Sequence, residues 1–156
     1  MKKSKIFAVL AICLALTIIF TGCKSKTAIT TDTFKTTMSE QGFTVVDGKE
    51  QYAEFDHILE VYAALDSTGS YQIEFYKCND ETTAKGMYEN NKVKFEEQHK
   101  SASVHTAVSV GNHSEFRMLA DGEYILITQI ADTMLYVHTT SEYKDAVNEV
   151  VEALGY

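Results

Sequence analysis

Between residues 103 and 140 the chain breaks into strand-like runs at three two-residue turn signals, Gly111-Asn112, Asp121-Gly122 and Asp132-Thr133. Asn, Asp and Gly lead the few residues that accept the positive φ of a tight hairpin. Strands joined this closely are antiparallel neighbours, because a parallel connection needs a crossover of about a dozen residues or more. A second hairpin is expected upstream. Leu59, Val61, Ala63 and Leu65 alternate with Glu60, Tyr62, Ala64 and Asp66, and Tyr71, Ile73 and Phe75 alternate with Gln72, Glu74 and Tyr76. A five-residue loop, DSTGS, would pair Leu65 with Tyr71 and Ala63 with Ile73, collecting the aliphatic side chains on one face. Glu60, Tyr62, Glu74 and Tyr76 would then share the other face.

Three helices are expected around these strands. Phe34, Met38 and Gln41 lie at helical spacing, with Thr31 or Asp32 as the cap and Gly42 as the terminator, and a strand FTVV follows. Asn79 and Asp80 can cap a helix running to about His99, whose apolar stripe of Ala84, Met87, Tyr88, Asn91 and Phe95 is thin. The stretch SEYKDAVNEVVEALGY places Tyr143, Ala146, Val147, Val150, Val151 and Leu154 on one stripe, with Ser141 as cap and Tyr156 folding back after Gly155. The reading is an α+β fold: an antiparallel sheet, hairpin plus meander, with about three helices on one face.

The amino terminus carries a different signal. Lys2, Lys3 and Lys5 precede an apolar run from Ile6 to Phe20, shorter than the roughly 20 residues of a membrane span. Phe20-Thr21-Gly22-Cys23 resembles the lipobox of bacterial lipoproteins, with Phe20 departing from the usual Leu. The resemblance implies that residues 1–22 are a signal peptide that is removed and that Cys23 is lipidated. Residues 23–31 then read as the lipidated Cys and a polar tether, and residues 32–156 as a single α+β domain. The helix ending in Gly-aromatic, the hairpin ending in QIEFY and the closing YVHTTSEYKDAVNEVVEALGY also resemble small lipoproteins of Gram-positive bacteria. That resemblance implies the anchor and the domain, and no activity.

Charge and cysteines narrow the function classes. The leader holds three of the 14 basic residues and none of the 22 acidic ones, leaving eleven basic side chains against all the acids. So acidic a domain is unsuited to nucleic acid or to anionic headgroups, and the lipid must hold it at the membrane. Of the three cysteines, Cys13 lies in the leader and Cys23 is assigned to lipid. Cys78 alone remains, too few for an internal disulfide, and is expected as a small buried apolar residue.

Searching for chemistry yields no catalytic residue, metal site or cofactor. If the meander turns are simple, His113 faces with Arg117 and Leu119, while His138 and His105 share the face of Phe116 and Ile127. Those two lie three strands apart, roughly 14 Å at ~4.8 Å per strand, so they do not meet. There is no G-x-S-x-G, no glycine-rich phosphate loop and no S-x-x-K. The expectation is a non-enzymatic, monomeric binding or interaction module, lipid-anchored on the extracytoplasmic side of the cell membrane. Glu60, Tyr62, Glu74 and Tyr76 are its candidate surface for an unidentified protein or cell-wall ligand. The alternatives are an accessory subunit of a membrane complex and a cell-envelope hydrolase.

Overall fold

Seven strands make one antiparallel sheet in the computed structural model, which describes residues 25–100 and 104–156. The leader and Cys23 lie outside the described residues. The strands are β1 (Thr44–Asp47), β2 (Ile58–Leu65), β3 (Gln72–Cys78), β4 (Val104–Val110), β5 (His113–Ala120), β6 (Glu123–Ile130) and β7 (Thr133–Thr140). Their spatial order is β1-β2-β3-β7-β6-β5-β4, so the hairpin and the meander join through β3 and β7. The helices are α1 (Thr31–Glu40), α2 (Glu81–Gln98) and α3 (Lys144–Ala153). Among the described residues no helix is long and apolar enough to cross a membrane.

The helices do not lie on one face as expected. Phe34 and Met38 of α1 and Val147, Val150 and Val151 of α3 pack with Ile73, Phe75, Leu126, Leu135 and Val137. Tyr88 and Phe95 of α2 pack with Val61, Tyr76, Phe116, Met118, Ile125 and Ile127 on the opposite face. The cause is visible in β6, where every residue from Tyr124 to Ile130 is buried. A strand covered on one side alternates; one whose consecutive residues are all buried needs cover on both. β4, at the sheet edge, is exposed along its whole length.

The first hairpin also differs from its expected register. Leu65 pairs with Gln72, Ala64 with Ile73 and Tyr62 with Phe75. The loop is longer by one residue because the Asp66 carboxylate gathers it. It accepts hydrogen bonds from the backbone N–H of Thr68, Ser70 and Tyr71. The Asp66 N–H in turn donates to the Tyr71 carbonyl. Tyr71 therefore closes the loop instead of facing Leu65. These bonds, led by that from the Thr68 hydroxyl, hold the Asp66 carboxyl down at about 2. A one-residue slip turns every side chain of one strand over relative to its partner. An irregularity between Ile58 and Glu60 also leaves Leu59 49% exposed, outside the expected apolar face.

Smaller differences have local causes. Thr30, not Thr31 or Asp32, caps α1 by accepting from the Thr33 N–H. The fold begins before residue 32: the Asn112 side chain bonds both the N–H and the carbonyl of Lys26, and Ile29 packs on the core. The third meander turn is Ala131-Asp132, because the buried Thr133 hydroxyl is engaged with the Ile130 carbonyl and the Tyr156 hydroxyl. Ala146 is exposed, and Ser141 opens a short 3₁₀ turn instead of capping α3. The Gly42 and Gly155 ends are as expected, both at φ +86°, and Tyr156 folds back to bond the Val151 carbonyl.

Candidate functional site

The corrected register divides the four residues expected to share one surface. Glu60 and Tyr62 point to the α1 and α3 side, where the Lys35 ammonium sits 4.9 Å over the Tyr62 ring. Glu74 and Tyr76 point to the α2 side, and Tyr76 is only 4% exposed. The four form no common patch. Half of the set, Glu74 and Tyr76, instead lines a cavity.

This cavity, of about 330 Å³, opens between α2 and the sheet. Its lining comes from four separate stretches: Tyr52 from the 3₁₀ turn Lys49–Tyr52, Glu74 and Tyr76 from β3, Met87, Asn91 and Lys94 from α2, and Met134 and Tyr136 from β7. Met87, Asn91 and Lys94 fall at i, i+4 and i+7, one helical face. Glu74 pairs directly with Tyr136, and Tyr76 with Met134, across β3 and β7. Tyr52 reaches in from the loop and meets Tyr76 edge-to-face at 5.4 Å.

A chain of hydrogen bonds crosses the cavity wall. Tyr76 donates its hydroxyl proton to Glu74. The Tyr52 hydroxyl lies 2.8 Å from that of Tyr76. A hydroxyl has one proton, so Tyr52 must be the donor of this bond. Gln72 donates to the other carboxylate oxygen at 2.7 Å. Burial, and then the carboxylate of Glu74, raise the pKa of Tyr76, which keeps the proton on its oxygen. Tyr136 is pushed up to about 12 by burial first and by Glu74 next.

Tyr88, on the buried face of α2, is likewise pushed up to about 12 by burial, and burial raises Tyr156 as well. These shifts carry a sign for stability. A phenol whose folded pKa lies above its unfolded value of about 10 stabilises the fold fully below pH 10 and loses that contribution as pH rises through the folded value. Stability should therefore fall between about pH 10 and pH 12. Absorbance at 295 nm, followed with circular dichroism, should show a late group of tyrosines ionising together with loss of the fold. Complete ionisation near pH 10 with the fold intact would contradict this.

A second polar cluster lies on the same face. His99, the residue ending α2, has Nδ1 3.1 Å from Asp121 and Nε2 3.8 Å from Glu123, while His138 Nε2 is 3.1 Å from the same Glu123 oxygen. His138 and His105 share the face of Phe116 and Ile127, as the turn count implied. His99 was not anticipated there, because the packing of α2 brings it in. Among the described residues no group of three or more His, Cys, Asp or Glu side chains is arranged to hold a metal. Cys78 is fully buried, and burial, followed by the carboxylates of Asp132 and Asp80, pushes its thiol up to about 11. It behaves as a core residue and not as a nucleophile.

Of the cavity residues, only Glu74 and Tyr76 were candidates from sequence. Tyr52 lies in an irregular loop and Tyr136 on a strand that becomes a neighbour of β3 only through the sheet order, so neither carried a local signal. Met87 and Asn91 were assigned to the apolar stripe of α2, and Lys94 to no feature. Comparisons with protein-family models, with curated proteins and with solved structures found no match to this chain.

Proposed function

We propose that this protein is a lipid-anchored, extracytoplasmic binding module whose site is the cavity lined by Tyr52, Glu74, Tyr76 and Tyr136. The observation that carries the reading is a concave, polar, partly organised site of ligand-accepting size, placed on the face opposite α1 and α3. Its volume of about 330 Å³ sits at the low end of the range of small-molecule sites, roughly 300–1,000 Å³. Its key side chains are held by one another before any ligand arrives, which lowers the ordering cost of binding. The lipobox resemblance at Cys23 supports the anchor, and the acidic charge balance supports a lipid over an electrostatic tether.

Binding suits the cavity better than turnover. Glu74 is the one carboxylate in its lining, whereas hydrolysis of a glycoside commonly needs two. Tyr76, the residue beside that carboxylate, is buried and holds its proton, so it is a poor nucleophile.

Carbon-13-methyl methionine NMR tests this reading directly. Met87 and Met134 line the cavity, while Met38 lies in the core of the other face. Adding a low-molecular-weight digest of cell wall to the full chain in detergent micelles should shift the Met87 and Met134 methyl signals saturably and leave Met38 in place. Unmoved Met87 and Met134 signals would count against the cavity as the binding site.

A further inference from the structure

We infer that the cavity takes a small zwitterion, with its ammonium group against Glu74, Tyr52 and Asn91 and its acid group at the rim beside Lys94; this rests on the cavity being the binding site. The hydroxyl protons of Tyr76 and Tyr52 are already committed. Tyr76 spends its one hydroxyl proton on Glu74, and Tyr52 spends its own on Tyr76. Asn91 donates through Nδ2 to the Met87 carbonyl at 2.9 Å, which turns its own carbonyl oxygen the other way. Tyr76 and Tyr52 can therefore offer a ligand acceptors only, and Asn91 offers its carbonyl oxygen beside one remaining N–H. Glu74 accepts from Gln72 and Tyr76 and still has unused lone pairs. Met87 and Met134 add thioether sulfurs, which are weak acceptors.

A wall of acceptors around one negative charge selects a donor-rich cation. A primary ammonium group brings three donors and the opposite charge. A carboxylate alone would meet repulsion from Glu74, and a neutral polyol would leave that charge uncompensated in a partly desolvated site. Besides the second N–H of Asn91, two donors remain on the lining, the Tyr136 hydroxyl and the Lys94 ammonium. Among the described residues neither has a hydrogen-bond partner, and every fully buried side-chain nitrogen or oxygen has one, so both reach solvent. Lys94 is exposed and stands three residues beyond Asn91 on α2. It puts a positive charge at the mouth, where a free cation would be repelled and a ligand's acid group held. A volume of about 330 Å³ limits the ligand to something near amino-acid size.

The test uses the same methionine signals in the full chain in micelles, with four kinds of probe: L-alanine and L-glutamine as zwitterions, propylamine as the ammonium group alone, propionate as the acid alone, and glucose as a neutral polyol. At least one zwitterion should shift Met87 and Met134 saturably, propylamine should bind at least tenfold more weakly, and propionate and glucose should leave both signals unchanged. Glu74→Gln keeps an acceptor for Tyr76 but removes the charge, and should weaken the zwitterion at least tenfold. Lys94→Gln, at an exposed position that does not threaten folding, should bring the zwitterion and propylamine to similar affinity. Glucose or propionate binding as tightly as the zwitterion would overturn the inference. Signals that answer to the cell-wall digest but to neither zwitterion would overturn it too, while leaving the cavity as a binding site. Silence toward digest and probes alike would remove both readings.

Discussion

Cys23→Ala is expected to move the protein from the membrane fraction to the soluble fraction almost completely. On the proposed reading the effect is large because the acidic domain has no electrostatic substitute for the lipid. Two acyl chains anchor stably, each buried CH₂ contributing about 0.8 kcal/mol, whereas a single chain binds only marginally. With eleven basic residues against 22 acidic ones, the remaining domain is repelled by anionic headgroups. The substitution should also leave the fold unchanged, since among the described residues the contacts that dock the amino-terminal segment begin at Lys26. Labelling with a palmitate analogue, fractionation and a thermal melt of both proteins check all three points. Equal labelling, or a variant that pellets with membranes as wild type does, would exclude Cys23 as the anchor.

The meander was legible in the sequence because its signals are local. A two-residue turn carries its own chemistry in Gly111-Asn112 and Asp121-Gly122, and once the turns are set, parity decides every face. That is why His113 does fall with Arg117 and Leu119, and His138 with Ile127. The first hairpin failed for the same reason in reverse. Its face assignment depended on one loop length, and the Asp66 carboxylate, by drawing in the Tyr71 N–H, added one residue. Both faces of β2 and β3 carry apolar side chains, so the alternation could not reveal the slip. The strongest available warning was the run of four consecutive apolar residues from Tyr124 to Ile127, which alternation on a one-sided sheet does not produce.

The cavity was less legible than the fold because none of its neighbours are neighbours in the chain. Glu74 meets Tyr136 only because β7 inserts beside β3, a pairing between strands more than fifty residues apart. Asn91 and Met87 are visible as part of one helical stripe, yet spacing alone does not show that the polar residue in it faces a cavity. Sequence patterning detects which side of an element is buried. It does not detect which two buried sides are brought together, and a binding site is built at that second level.

Phe75→Ala is expected to cost about 3–5 kcal/mol, the range for removing a fully buried phenylalanine whose surroundings relax only in part. Phe75 is fully buried on β3, stacked on Phe34 of α1 with ring centroids 4.9 Å apart, and paired in register with Tyr62 and Leu135. A domain of ordinary stability has about 5–15 kcal/mol in total, so the variant should be near its limit at physiological temperature. Urea unfolding with an unchanged m-value measures the loss. Val104→Ala, at 75% exposure on the edge strand, serves as the control and should stay within about 0.5 kcal/mol of wild type. A Phe75→Ala cost below about 1 kcal/mol would mean that the α1 face collapses onto the gap and carries little of the stability. The same variant separates stability from the site. Phe75 points to α1, while its chain neighbours Glu74 and Tyr76 point to α2, so any Phe75→Ala protein that still folds should keep its ligand-dependent Met87 and Met134 shifts. Loss of those shifts in a folded variant would show that the two faces are coupled through β3, and that the cavity is shaped by the core behind it.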